Sequence, residues 1–422
     1  MHEFRFKNNI LHAEDVPVDK IVSSAGTPCF IYSYNTLISH FEKIKRAFRE
    51  INPLVCYSVK ANSNLAVLKT LVNQGAGLDI VSGGELYRAL KTRVSPQKIV
   101  YAGVGKSIEE IKYSINSDIL MFNVESIPEL RQIELCARRL KKKVRVALRV
   151  NPNVDVHTHK YITTGKSENK FGIDLNMARD IFLARKKQYL SLTIAGIHMH
   201  IGSQLVRRTP FVRAISKICR FIEELKSRCI VELEYLNIGG GLGIIYKNEQ
   251  PQTADEYAKT IIPMLKKTKL KIILEPGRFI AGNSGILVTR VQYVKKTKQK
   301  TFIIVDAAMN DLVRPSLYSA YHEILPVVKK KSGNVGRKAD IVGPVCESGD
   351  FFAKDRQVTE LTIGDLLAIM SAGAYGFSMS SNYNSRLRAC EVMVRGNQFF
   401  VIRRRERYSD LVTGENIPSW LK

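Results

Sequence analysis

The sequence predicts an α/β protein: a closed (β/α)8 barrel over residues 27–277, joined to an antiparallel β domain made of 278–422 and the N-terminal residues 1–26. Three observations predict it. Short apolar, β-branched runs alternate with segments of 3.6-residue apolar periodicity over some 250 residues, the signature of a parallel sheet with helical crossovers. There are more such units than an open doubly wound sheet commonly carries, which favours closure. After Pro276 the helical periodicity stops, and strand-like runs punctuated by Gly and Pro take over.

In chain order, residues 1–26 hold a short alternating segment (Phe4, Phe6, Ile10, Leu11) that can add a strand to the β domain. Cys29–Tyr32 reads as the first strand of the alternating region, followed by a helix over Leu37–Phe48. The strands Leu54–Val59, Gly77–Val81, Ile99–Tyr101, Ile119–Phe122, Val144–Val150, Ile194–His198, Tyr235–Ile238 and Ile272–Leu274 come next. Helices are expected between them at Leu65–Val72, Ile108–Ile115, Ile127–Leu140, Phe211–Leu225 and Tyr257–Leu265. Beyond Pro276, strands are expected at Ile286–Val294, Phe302–Val305, Ala339–Val342, Leu366–Met370, Glu391–Val394 and Phe399–Ile402.

Composition excludes several classes. No apolar run approaches the roughly 20 residues that span a bilayer, and neither end carries a basic-then-apolar secretory signal. Seven scattered cysteines (Cys29, Cys56, Cys136, Cys219, Cys229, Cys346, Cys390) make no disulfide framework or metal-like spacing, which suits a reducing cytoplasm. Lys and Arg number 65 against 39 Asp and Glu, a net charge of +26 that raises the question of a nucleic-acid partner. The basic clusters at Arg138–Lys143, Lys295–Lys300, Lys329–Lys331 and Arg403–Arg405 are short, dispersed and free of a nucleic-acid motif, so a solvated surface is the expectation.

The chemistry is expected at the carboxyl ends of the barrel strands. Lys60 ends the apolar run Val55–Val59; desolvation there would make it an amine nucleophile able to form a Schiff base, whereas a lysine snorkelling into solvent is the bland alternative. His198-Met-His200-Ile-Gly-Ser203 follows the strand at 194: His200 can lie against a flat ring and Ser203 offers a hydroxyl to an anion. Gly239-Gly240-Gly241 lets backbone N–H groups approach a phosphate, with a flexible turn as the alternative. Glu275-Pro276-Gly277-Arg278 supplies a carboxylate for a pyridine nitrogen and a guanidinium for an anion, or simply an ion pair closing the barrel. In the β domain, Arg314 with Tyr318, Cys346 with Glu347, and Tyr375 in a Gly-rich turn complete the set. A carboxylate neighbour disfavours thiolate, which suits the Cys346–Glu347 pair to proton donation.

With these residues assembled, the chain resembles the diaminopimelate decarboxylase family of pyridoxal-phosphate (PLP) enzymes, from about Thr27 to about Arg395. Tyr57-Ser-Val-Lys60-Ala-Asn62, His200-Ile-Gly-Ser203, Gly239–Gly243 and Glu275-Pro-Gly-Arg278 resemble the wider group that includes ornithine and arginine decarboxylases. Asn151-Pro152, Tyr161-Ile-Thr-Thr-Gly165, Asn169-Lys-Phe-Gly172, Met309–Tyr318 and Gly343–Asp350 resemble the diaminopimelate branch more narrowly. The resemblance implies that Lys60 holds PLP through a Schiff base, with Asp79 orienting the lysine. It assigns His200 to the ring face and Glu275 to the pyridine nitrogen. Ser203, Gly239, Gly240, Gly241 and Tyr375 go to the phosphate, with Gly277 and Arg278 among the cofactor contacts. Arg278, Arg314, Tyr318, Glu347 and Tyr375 become substrate contacts for meso-diaminopimelate, and Cys346 the proton donor that completes lysine. It also implies a homodimer in which Cys346 and Glu347 reach the partner's active site. A decarboxylase of another basic amino acid or of carboxynorspermidine, and a non-catalytic PLP-binding protein, are the rivals; Arg314 with Tyr318 argues against the first and Cys346-Glu347 against the second.

Overall fold

The computed structural model describes residues 2–154, 170–228, 232–330 and 338–421, which form two compact units. One unit, Leu37–Ala281, contains the barrel; the other joins Met1–Thr36 to Gly282–Lys422.

Eight parallel strands close the barrel: Leu54–Ser58, Gly77–Ile80, Ile99–Tyr101, Met121–Val124, Val144–Arg149, Leu192–His198, Tyr235–Asn237 and Lys271–Leu274. Pairing of Ile273 with Leu54 and of Leu274 with Val55 seals the last strand to the first and leaves no open edge. Cys56, Val100, Met121, Ala147 and Ile273 pack in one buried cluster. The helices start at side-chain caps: Ser82, Ser107, Ser126 and Thr253 each accept a hydrogen bond from the N–H of a glutamate three residues on. That Ser/Thr-x-x-Glu spacing marks Gly83–Lys91, a helix that apolar periodicity alone passes over.

Cys29–Ser33 is not a barrel strand. It pairs antiparallel with Gly285–Lys296 and parallel with Cys390–Arg395, so the barrel unit spans 37–281 instead of the expected 27–277. Locally, an apolar run followed by a helix looks the same in either sheet; long-range pairing decides, and every residue of this strand is buried. The sheet of the second unit runs in the order Phe351–Gln357, Lys338–Val342, Thr301–Val305, Gly285–Lys296, Cys29–Ser33, Cys390–Arg395, Gln398–Arg403. Leu366–Ile369 joins it through Gly285–Lys296. Most of its strand pairs are antiparallel, as expected, and two neighbouring pairs are parallel, which makes the sheet mixed. The N-terminal segment forms its own antiparallel hairpins (Phe4–Lys7, Ile10–Ala13, Val16–Pro17), and Phe4, Leu11, Ala13 and Val16 share a core with Ile286, Val288 and Val392. Among the described residues no helix is long and apolar enough to cross a membrane.

Candidate active site

Lys60 lies in a 3₁₀ turn, Val59–Ala61, directly after the first barrel strand. The sequence suggests a buried amine, but the side chain is 38% exposed, and what distinguishes it is its partner: Nζ donates to Asp79 Oδ2 at 2.6 Å. Asp79 is fully buried on the second strand, and the same oxygen accepts from Ser58 Oγ at 2.7 Å. Burial and then the charge of Glu275 raise the Asp79 carboxyl above its ordinary range, against the pull of Lys60.

Glu275 follows the last strand and is tethered through both carboxylate oxygens. Its Oε1 accepts from Asn237 Nδ2 at 2.6 Å and Asn123 Nδ2 at 3.1 Å, and Oε2 lies 3.2 Å from His198 Nε2. Burial alone would raise its pKa; His198, Lys60 and Asn237 outweigh that and hold it at about 2. His200 is the opposite case. Burial, then Arg149 and Lys60, push its imidazole down to about 3, so it is a neutral ring at physiological pH. Its Nδ1 accepts from the Gly240 N–H at 3.2 Å.

The glycine run fits closely. A Cβ at Gly239 would come within 2.6 Å of Met199 O, and one at Gly240 within 2.2 Å of Glu275 O. Gly239 N–H donates to Asn237 Oδ1 at 2.9 Å, so two of the three glycine amides are already engaged and the turn is pinned in place. Gly277 packs against the Lys60 turn, where a Cβ would meet Ser58 Cβ at 3.0 Å. Arg278 is buried; its Nε donates to Ser203 Oγ at 3.2 Å and Nη1 to the Tyr246 hydroxyl at 2.8 Å.

A buried chain of charges, absent from the sequence reading, supports this end of the barrel. Lys106 Nζ donates to Glu129 Oε1 at 2.6 Å, Glu129 Oε2 accepts from Glu125 N at 2.9 Å, and Glu125 Oε1 accepts from Arg149 Nη1 at 2.7 Å. Arg149 Nη2 then reaches the His200 carbonyl at 3.4 Å. With Gly83 N–H on Glu110, Ala102 N–H on Ile80 O, Glu275 N–H on Gly239 O and Ser58 N–H on Pro276 O, hydrogen bonds run round the whole mouth. The sequence signal for Glu110 and Glu129 was present as the helix-cap spacing; for Arg149 it was only a charge at the end of a strand that already carries Arg145.

The second unit carries the remaining candidates. Arg314 is buried at the start of the short helix Arg314–Tyr318, with Tyr318 half-buried at its end. Cys346 and Glu347 are exposed; Cys346 N–H donates to Asn384 Oδ1 at 3.1 Å, and Glu347 Oε2 accepts from the Tyr383 hydroxyl at 2.8 Å. Asp350 shapes that loop by accepting from Met309 N and Val345 N, both at 2.7 Å. Tyr375 takes a left-handed backbone, φ 57°, a strained position of the kind that accumulates at functional sites. Tyr161–Gly165 and Asn169, part of the narrower resemblance, lie outside the described residues.

An amine, two carboxylates and a glycine turn at the carboxyl ends of a closed parallel barrel define a barrel enzyme that works on a small ligand. Residues 34–282 match the model of the pyridoxal-dependent decarboxylase, pyridoxal binding domain. A diaminopimelate decarboxylase of Aquifex aeolicus is 48% identical over 408 residues, 96% of this chain and 96% of that protein. The crystal structure of the Helicobacter pylori diaminopimelate decarboxylase complexed with L-lysine superposes with a TM-score of 0.90 at 42% identity, covering 94% of this chain and 98% of that one. That of M. jannaschii in co-complex with L-lysine gives 0.93 at 37% identity, covering 100% of each. The chain belongs to the pyridoxal-dependent decarboxylase family and, within it, to the diaminopimelate decarboxylases.

The family's cofactor, pyridoxal phosphate, fits the residues present. Asp79 Oδ1, Asn123 Oδ1 and His198 Nδ1 are buried polar atoms with no hydrogen-bond partner among the described residues, as in a site shaped for a polar guest. The half-exposed Lys60 amine and the tightly packed glycine turn border the same carboxylates.

Proposed function

We propose that the protein removes CO₂ from meso-2,6-diaminopimelate to give L-lysine. The single observation that carries the reading is the Lys60–Asp79 pair beside an ionised Glu275, at the strand ends of a barrel of this family. Two relatives solved with L-lysine, the product of that reaction, support the choice of substrate.

Bound pyridoxal phosphate supplies an electron sink for the pair left behind when a carboxylate departs. Lys60 Nζ would be the amine that holds the cofactor, with Asp79 Oδ2 orienting it. Glu275, ionised well below neutral pH, would accept a hydrogen bond from the pyridine nitrogen and hold a proton there. His200 presents an uncharged ring face to the cofactor. The Gly239–Gly241 backbone, Ser203 and Tyr375 are assigned to the phosphate, with Gly277 and Arg278 beside them. Arg278, Arg314 and Tyr318 hold the substrate's distal carboxylate, Glu347 its distal ammonium, and Tyr375 contributes to the same contacts. A mono-acid would leave those guanidiniums unpaired, which gives discrimination. Cys346 Sγ–H delivers the proton to the carbon that lost CO₂. In the same reading the enzyme is a cytoplasmic homodimer in which Cys346 and Glu347 serve the partner's site.

The test is CO₂ release from meso-diaminopimelate measured beside ornithine, arginine and lysine. Turnover of diaminopimelate alone is expected; turnover of ornithine without diaminopimelate would overturn the substrate.

A further inference from the structure

His322 is fully buried, four residues beyond the helix that carries Arg314, and is held at three points. Its Nε2 lies 2.8 Å from Arg314 Nη1, and its Nδ1 lies 2.7 Å from Met370 O. Its own carbonyl accepts from Arg356 Nη1 at 3.0 Å, and that guanidinium stacks on the Tyr321 ring at 4.2 Å. Met370 N–H donates in turn to Glu323 O at 2.8 Å, which fixes the carbonyl that His322 faces.

The chemistry of the two partners leaves no freedom of protonation. A guanidinium has five N–H donors and no acceptor, and a peptide carbonyl only accepts. The imidazole must therefore donate from Nδ1 to Met370 O and accept at Nε2 from Arg314, which makes it the neutral Nδ1–H tautomer. A buried, uncharged acceptor meets one edge of the Arg314 fork. It fixes the plane of the guanidinium without neutralising its charge, as a carboxylate partner would. A neutral acceptor sets the plane of a guanidinium and brings no opposing charge of its own, which suits an arginine that meets a ligand's carboxylate.

We propose that His322 is a positioning residue for substrate selection, orienting Arg314 toward the distal carboxylate of the diamino-diacid. This rests on the reading that Arg314 holds that carboxylate. L-Lysine, the product, keeps the distal amino-acid end, whereas 1,5-diaminopentane has the same chain and both amines but no carboxylate. The pair therefore reports on the carboxylate contact without turnover.

The experiment titrates the PLP-loaded enzyme with each compound by calorimetry. Three variants are compared: His322→Asn, His322→Gln and Arg314→Met. Asn places its amide where Nδ1 stands and keeps a donor for Met370 O but loses the acceptor for Arg314. Gln places a carbonyl oxygen near Nε2 and keeps that acceptor. In His322→Asn, L-lysine affinity is expected to fall about tenfold or more, the worth of a hydrogen bond to a charged group. Affinity for 1,5-diaminopentane should hold, and KM for meso-diaminopimelate should rise by a similar factor with kcat little changed. In His322→Gln, L-lysine affinity is expected within about threefold of the parent. Equal losses in the Asn and Gln variants, or an Asn variant that binds L-lysine like the parent, would overturn the proposal. If Arg314→Met leaves L-lysine affinity unaltered, the fault lies in the underlying assignment of Arg314 and the proposal falls with it.

Discussion

Glu275→Gln separates the charge of the residue proposed to face the pyridine nitrogen from its shape. In the folded protein the carboxylate accepts from Asn237 at 2.6 Å and Asn123 at 3.1 Å and faces His198 Nε2 at 3.2 Å. A glutamine can reproduce that frame. Its oxygen can accept from both asparagines, and its amide can donate to His198 Nε2 once the imidazole proton moves to Nδ1, an atom without a partner among the described residues. The fold is therefore retained while the charge, held at a pKa of about 2, is lost. A hydrogen bond to a charged group is worth about 1.5–3 kcal/mol, so kcat should fall by about 10- to 150-fold. Initial rates of CO₂ release at saturating meso-diaminopimelate give the number, with cofactor content checked by absorbance. A second signature lies in stability. Because folding lowers this pKa from 4.5, its contribution is present above about pH 4.5 and lost as pH falls toward 2, so the variant's acid unfolding should be shallower. A fully PLP-loaded variant with kcat within about threefold of the parent would refute the argument.

Three further outcomes are expected. Cys346→Ala should lose about 10²–10⁴-fold in kcat while keeping PLP affinity; an unchanged kcat removes its role as proton donor. Glu125→Ala strands the buried Arg149 guanidinium, at a cost of about 3–5 kcal/mol that should appear as a lower urea midpoint, and an unshifted midpoint would mean the pair is not buried in solution. Asp311 is buried, Oδ2 accepts from Ala308 N at 3.0 Å, and burial raises its pKa from 3.8 to about 7. An acid whose pKa rises on folding stabilises fully below about pH 3.8 and loses that contribution as pH rises through 7. The difference in Tm between Asp311→Asn and the parent should therefore grow in the variant's favour from pH 5 to pH 8, and a flat difference would contradict the raised pKa.

Period and position made much of the molecule legible. Eight of the nine runs read as barrel strands are barrel strands, because each is a local apolar run between helices whose faces repeat every 3.6 residues. Cys29–Ser33 failed because membership of a sheet is set by partners more than 250 residues away, at Gly285–Val288 and Cys390–Val394, which no window sees. Phe351–Gln357 escaped notice because three charged residues, Lys354, Asp355 and Arg356, break its alternation at the sheet's edge. In the site, residues at strand ends with unusual chemistry were visible: Lys60, His200, the glycines and Glu275. Their supports were not. Asn123, Asn237, Arg149 and Glu125 act only through hydrogen bonds between separate strand ends, and in the sequence each is an ordinary polar or charged residue.

The two carboxylates at the mouth show why those supports matter. Asp79 and Glu275 are both buried and both feel Lys60, yet their titrations part. Glu275 has three side-chain neighbours, and these overcome the cost of burial. Asp79 leaves one oxygen without a partner among the described residues, and the charge on Glu275 raises its pKa further. Tethering one carboxylate thus helps to shift the other. The carboxyl beside the amine is pushed up from its ordinary range, and the one across the mouth is held down. Environments that drive paired acids apart are how a site assigns a proton carrier and a fixed charge from the same functional group. Here the division depends on Asn123, Asn237 and His198, three neutral-looking side chains on three different strands, as much as on the acids themselves.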